Sequence, residues 1–386
     1  MDFEFTPEQN ALQEAVAQIC SGFDDSYWLA RDTDGKFPEE FVQAVAKGGW
    51  FGATIPPEYG GAGLGMTEAA LIMRTIGHLG GAAMTSVHIN IFGPHPLVKF
   101  GTDAQKREYL PRLIDGSDRA SFSVTEPNAG LNTIAITTFA ERRGGRYVVN
   151  GRKLWTSNAQ VANKIILLAR TTRQEDCAKP TDGMTLFYTD FNRSHIDARK
   201  IDKMMRSAVD SSELFIDNLE IPVEHRIGEE GRGFEYLLHS LNPERIVVSA
   251  GIQGATQHVL DLAARYARER EVFGRPIGQN QAIQHPLAEI WAELRAAELM
   301  LLKGAALYDA GKSCGLECNA AKYLSAEVYF KCAHRAVRTH GGMGVAKEFH
   351  VERYFRESIL TQLGPVSQEL VLCFIAERAL GLPKSY

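Results

Sequence analysis

The feature that most limits what this chain can fold into is a change of pattern that happens twice. Up to about residue 118, apolar positions recur at helical spacing. From 119 to 228, short β-branched and aromatic runs sit between glycine-rich turns. From 229 to 386 the chain returns to long helical stretches nearly free of breakers. Thr6-Pro7-Glu8-Gln9 has the form of a capped helix start with proline just inside, and Leu12, Ala15, Val16 and Ile19 follow at helical spacing. Phe41, Val42, Val45 and Ala46 predict a second amphipathic helix. The glycine-rich stretch from Pro56 to Gly65 follows no strand and lacks the spacing of a dinucleotide loop, so it reads as a flexible inter-helix loop. Ala120–Thr125, a hairpin turning at Gly144-Gly145, Ile165–Ala169, Met184–Tyr188 and Leu214–Ile216 predict the strands of a small barrel or sandwich. Helices expected from Phe234, Asn280, Asn319 and about Ser367 read as an antiparallel bundle. The expected fold is a multidomain α+β chain: an N-terminal helical domain (1–118), a β-barrel (119–228) and a C-terminal four-helix bundle (229–386). The 386 residues exceed what one core usually serves.

Charge and composition remove several function classes. Lys+Arg is 42 against 47 for Asp+Glu, a net charge of −5 with no long basic block, which argues against general nucleic-acid binding. No stretch of about 18 uncharged apolar residues is present, so no membrane span is expected. The acidic start, Met1-Asp2-Phe3-Glu4, has neither a basic segment nor an apolar one. A cytoplasmic location is expected, or the mitochondrial matrix if a leader has been removed. The six cysteines lack zinc-site spacing and read as reduced structural thiols, and no metal is expected.

Four motifs follow one another along the chain: Val124-Thr125-Glu126-Pro127-Asn128-Ala129-Gly130, then Trp155-Thr156-Ser157-Asn158, then Arg270-Glu271-Val272-Phe273-Gly274 with Gln281, and finally Thr339-His340-Gly341-Gly342-Met343-Gly344. In this order they resemble the acyl-CoA dehydrogenase family. The resemblance covers essentially the whole chain. It implies a FAD enzyme that dehydrogenates acyl-CoA thioesters and passes electrons to an electron-transfer flavoprotein, usually as a homotetramer. A flavin needs apolar walls, donors at its ring edge, and cations or free N–H groups at its pyrophosphate. By resemblance, Phe122, Val124 and Thr125 line the ring, with Gly130 on the same loop. Trp155 stacks over one end, and Thr156 and Ser157 meet the ring edge. Arg270, Phe273 and Gln281 reach FAD bound mainly by a neighbouring subunit. Arg338 offers a second cation, Gly341 and Gly342 let backbone approach the ADP part, and Ser367 takes the place of a family threonine. Read alone, Trp155 and Phe122 are core aromatics, and Arg270 belongs to a solvated charged face.

The implied reaction removes a proton from the α carbon and a hydride from the β carbon. That requires a carboxylate in a water-poor slot, where its pKa rises toward neutrality. Many relatives take it from a Tyr-Glu-Gly-Thr motif, and an ungapped count puts Pro365 at that glutamate. The isovaleryl-CoA and long-chain branches take it from a Glu-Arg pair on a bundle helix. This sequence has Asn242-Pro243-Glu244-Arg245, with Glu244 26 residues before Arg270, as in that alignment. Glu244 is the expected base, with Asn242 and Arg245 beside the substrate. Leu131 stands where the family often has a serine touching acyl-CoA. By resemblance, Met84, Thr85 and His88 lie in the segment that closes the acyl end of the pocket. Pro365 has no N–H to give the thioester oxygen, so Val366 is the expected substitute donor. Pro365 also leaves open a different flavin chemistry on the same fold, of oxygenase or desulfinase type.

Overall fold

The computed structural model describes residues 4–80 and 85–385, with the backbone only for Thr85. The first section is helical: α1 (Pro7–Cys20), α2 (Asp25–Asp34), α3 (Glu39–Lys47), α4 (Met66–His78), α5 (Thr85–Phe92), α6 (His95–Phe100) and α7 (Asp103–Ile114). α1 begins at the expected capping box. The Gln9 N–H donates to the Thr6 hydroxyl at 3.2 Å, and the Thr6 N–H donates to the Gln9 side chain at 3.1 Å. α7 repeats the device with Thr102 and Gln105. The glycine-rich stretch before α4 is not the flexible loop its composition suggests. The N–H groups of Ala62, Gly63 and Leu64 donate to the carbonyls of Gly52, Ile55 and Ala53 at 2.8–2.9 Å. A Cβ on Gly61 would lie 2.0 Å from the Ile55 carbonyl oxygen, so only glycine lets the loop fold back this closely.

The middle section is a sheet of β1 (Ala120–Ser123), β2 (Phe139–Arg143), β3 (Arg146–Ser157), β4 (Lys164–Arg170), β5 (Met184–Asp190), β6 (Ile196–Lys200), β7 (Ser211–Pro222) and β8 (Arg226–Ile227). The strand order is β6-β7-β3-β2-β4-β5-β8, with β1 parallel to β4. The expected barrel is not closed. β8 has two residues and pairs only with β5, while β6 pairs only with β7, so the two ends of the sheet never meet. The sheet curls around its own core of Tyr147, Val149, Ile165, Leu167, Phe187 and Leu214. From the other side of β4, Ile166 and Leu168 pack against Leu97, Tyr109 and Leu110 of the helical section. β4 is thus buried on both faces, which is why its sequence is continuously apolar rather than alternating.

The last section begins with α8 (Gly233–Glu269). A hairpin of β9 (Glu271–Val272) and β10 (Arg275–Pro276) leads to α9 (Gln281–Asp309), and α10 (Gly315–His340), α11 (Val351–Leu363) and α12 (Gln368–Leu380) follow. α8 packs against α4, α9 and α10, so one core runs through the first and last sections and includes Trp28, Phe41, Ile76, Ile246, Val247, Leu301 and Tyr329. α11 adds a helix to the four expected. Its buried face carries Arg353, Glu357, Ser358 and Thr361 beside Val351 and Tyr354, so no apolar period marks it in the sequence.

Candidate active site

Glu244 lies in the fourth turn of α8, directly after Pro243. The residue is 8% exposed, and no hydrogen bond to its carboxyl is found among the described residues. Burial pushes its pKa up to about 7, against the opposing pull of the neighbouring Arg245 guanidinium. Arg245 is itself partly buried, and its Nε is buried without a partner. Burial lowers the Arg245 pKa, with Glu244 acting in the other direction. Facing them from α10, the fully buried Lys322 donates from Nζ to the Val366 carbonyl at 2.6 Å. Burial brings the Lys322 ammonium down to about 8, and Arg245 pushes the same way. Arg245 thus has the Glu244 carboxyl on one side and the Lys322 ammonium, fixed to the 365–367 turn, as a further neighbour. Asn242, about one turn before Arg245, donates from Nδ2 to the Cys314 sulfur at 3.5 Å. Ser367 caps α12, accepting the Leu370 N–H at 3.4 Å.

A second wall comes from the sheet. Phe122 of β1 is half-buried and meets the Phe92 ring edge-on at 5.5 Å, and His88 lies 5.4 Å from Phe92. This line of rings leads from β1 into α5. Met84 and the Thr85 side chain lie outside the described residues. Val124 and Thr125 are half-buried, and the loop after them exposes Leu131 and leaves open space around Gly130. Trp155 is 55% exposed at φ 60°, on the irregular stretch where β3 shifts register against β7. A bulky residue in the left-handed region is an outlier, and here it accompanies an exposed indole. Ser157 is half-buried. Thr156 differs from expectation: its side chain points into the sheet, 3.0 Å from the Ser123 hydroxyl, because strand alternation turns it away from Trp155 and Ser157.

The remaining expected residues form a separate group. Arg270 caps the C-terminal end of α8, 26 residues from Glu244, which at 1.5 Å per residue is roughly 39 Å along the helix. Phe273 is fully exposed on the hairpin at φ 54°, and Gln281 opens α9 in solvent. Arg338, Gly341 and Gly342 lie at the same end of α10, where His340 stacks on Tyr266 of α8 at 4.2 Å. Gly341 adopts φ 61°, ψ −134°, and no atom lies within 4 Å of where a Cβ on Gly341 or Gly342 would be. Arg270 and Arg338 are exposed and form no ion pair among the described residues. Open backbone beside two unpaired arginines suits a pyrophosphate, and the exposed indole with apolar ring walls suits a flavin ring. Both halves fit FAD, but one chain holds them at opposite ends of its bundle.

Sequence reasoning missed the device that fixes the first motif. Lys153 is fully buried and donates to the Val124 carbonyl at 2.9 Å and to Glu126 at 3.0 Å. Glu126 also accepts the Thr137 and Thr138 N–H groups at 2.7 and 3.0 Å. Burial alone would raise the Glu126 carboxyl, but Lys153 and these donors outweigh it and hold it below the usual range. Lys322 was missed too. Its signal was a lysine interrupting the buried face that Cys318, Ala321, Ser325 and Tyr329 form on α10.

Helices, curled sheet and bundle, with a near-neutral buried carboxylate between them, define a flavin-dependent oxidoreductase of the acyl-CoA dehydrogenase architecture. The comparisons agree. The sequence matches the N-terminal domain of acyl-CoA dehydrogenase over residues 6–117, its middle domain over 121–219 and its C-terminal domain over 231–380. It is 33% identical to the acyl-CoA dehydrogenase FadE12 of Mycobacterium tuberculosis across 98% of this chain and 97% of that one. Among solved structures, a glutaryl-coenzyme A dehydrogenase complex superimposes with a TM-score of 0.94 at 32% identity, covering 100% of this chain and 98% of that chain. The prolyl acyl carrier protein oxidase AnaB gives 0.91 at 28% identity, covering 98% and 100%. The chain belongs to the acyl-CoA dehydrogenase family, and its cofactor is FAD.

Proposed function

We propose that this enzyme dehydrogenates an acyl-CoA thioester to the trans-2-enoyl-CoA, with Glu244 taking the α proton and electrons passing to an electron-transfer flavoprotein. The observation that carries this reading is the state of Glu244, a buried carboxyl to which no hydrogen bond is found among the described residues, with a pKa near 7. A base must match the pH at which it works, and a solvated glutamate is too weak. FAD, when bound, supplies the hydride acceptor. The chain's own residues do the rest. Phe122, Val124 and Trp155 give apolar surface that excludes water. Lys153 and Glu126 hold the Val124 carbonyl in place. Arg245 and Lys322 lend positive charge beside the slot, where negative charge develops on the thioester oxygen as the proton leaves. Val366 is the nearest residue after Pro365 able to offer an N–H there. Arg270, Phe273, Gln281, Arg338, Gly341 and Gly342 would serve the FAD of a neighbouring subunit, so the working enzyme is at least a dimer.

Glu244→Gln tests the reading. FAD content and acyl-CoA affinity should hold, while flavin reduction in a single turnover falls roughly 10²–10⁴-fold. Near-normal reduction by that variant would sink the assignment. A second reading rests on Pro365: the same slot could serve an oxidase or oxygenase, or take its acyl group from a carrier protein. Rapid reoxidation of the reduced flavin by O2 would favour that reading, whereas slow reoxidation favours the dehydrogenase.

A further inference from the structure

Away from the active site, a cleft of about 300 Å³, counting its open mouth, lies where the three sections meet. Its walls are Trp28 and Arg31 of α2, the 206–209 turn between β6 and β7, and Arg353 and Glu357 of α11. Both carboxylates lining it already have cations: Asp32 pairs with Arg356 at 2.6 Å, and Glu357 with Arg206 at 2.6 Å. Arg31 reaches Asp34 through Nη2 alone, and Arg353 reaches Asp25 through Nη2. Four buried donors are left without a partner: Trp28 Nε1, Arg31 Nε, and Arg353 Nε and Nη1. No oxygen of Asp32 or Glu357 is left over in the same way. The Arg353 side chain is 4% exposed, so bulk water does not serve it.

Unmet donors on residues that line a cleft, where both lining carboxylates are already paired with arginines, are the complement of an anion. Each unsatisfied buried donor costs about 1–3 kcal/mol, more on a charged group. A water accepts at most two such bonds, whereas a tetrahedral oxyanion accepts many and carries the charge the arginines call for. We propose that this cleft binds a small oxyanion of the phosphate or sulfate class, held by Trp28, Arg31 and Arg353. Bound there, the anion joins α2 of the first section to α11 of the last, beside the β6–β7 turn.

The test uses the FAD-loaded enzyme and inorganic phosphate, with sulfate and chloride as separate arms, at constant ionic strength. Phosphate should raise the melting temperature along a saturating curve, sulfate should match it, and chloride should give much less. Trp28→Phe removes one donor and keeps the ring, and Arg31→Gln removes a second from a partly exposed side chain. Each should raise the half-saturating phosphate concentration about tenfold or more. Phosphate bound at a coenzyme site would stabilise the variants as it does the parent, and that result would overturn the proposal. Crystals grown with phosphate that show only water among Trp28, Arg31 and Arg353 would overturn it equally.

Discussion

At the scale of the residue, Glu244 makes the sharpest claim. Only its ionised form accepts a proton, and its pKa is raised to about 7 by burial. Flavin reduction should therefore rise about tenfold per pH unit below 7 and level off above it, as read by stopped-flow between pH 5.5 and 9. A limb near 4.5 would mean a solvated carboxyl and a different base. The same shift is a stability statement. A carboxyl whose folded pKa lies above its unfolded 4.5 favours folding while protonated, and that contribution is lost as pH rises through 7. The stability of Glu244→Gln relative to the parent should therefore grow between pH 4.5 and 7, by on the order of 3 kcal/mol, and then stay constant. Urea unfolding of the flavin-loaded proteins at several pH values would measure it, and a gap independent of pH would refute the buried state. Glu244 was legible because its spacing to Arg270 survives in the sequence. Lys153, Lys322 and Arg353 were not, because a cation in an apolar pattern reads as a surface residue until its buried partner is known.

At the scale of the element, the sequence predicted what its local chemistry encodes. The capping box of α1, the glycine turn between β2 and β3, and the uninterrupted apolar run of β4 all form where expected. α11 was missed because ion pairs line its buried face, and β6 because Asp197, Arg199 and Lys200 give it the look of a loop. Closure of the sheet was overestimated because short strands with turns say nothing about whether the first and last of them meet. The Lys153–Glu126 pair ties β3, which carries Trp155, to the loop carrying Val124 and Thr125. Lys153→Met leaves Glu126 buried with no cation, and breaking such a pair costs about 3–5 kcal/mol. The variant should unfold at lower urea concentration and lose FAD more readily than the parent. Adding Glu126→Gln should recover much of the stability, since no charge is then stranded. A double variant no better than Lys153→Met would show that the pair acts through shape alone.

At the scale of the whole molecule, the residues that the proposed function assigns to base and flavin fall into two groups that one chain holds apart. Glu244, Phe122 and Trp155 belong to one, and Arg270, Phe273, Arg338 and Gly341 to the other. The rigid length of α8 separates Glu244 from Arg270 by roughly 39 Å. A fully exposed phenylalanine held at φ 54° gains nothing in a monomer, where it is both strained and wet. It is accounted for if a second copy, related by a twofold axis, covers the hairpin and offers its own flavin wall. Truncating an aromatic anchor at such a contact typically costs about 2 kcal/mol or more, roughly a thirtyfold loss of affinity. Phe273→Ser should therefore lose FAD on gel filtration and shift toward a smaller mass by light scattering, although Glu244 and the sheet wall are untouched. Glu244→Gln, altered only at the other end of α8, should keep both its mass and its colour. A Phe273→Ser protein with the parent's mass and a full complement of FAD would leave the exposed ring unexplained and remove the reason for pairing the two groups.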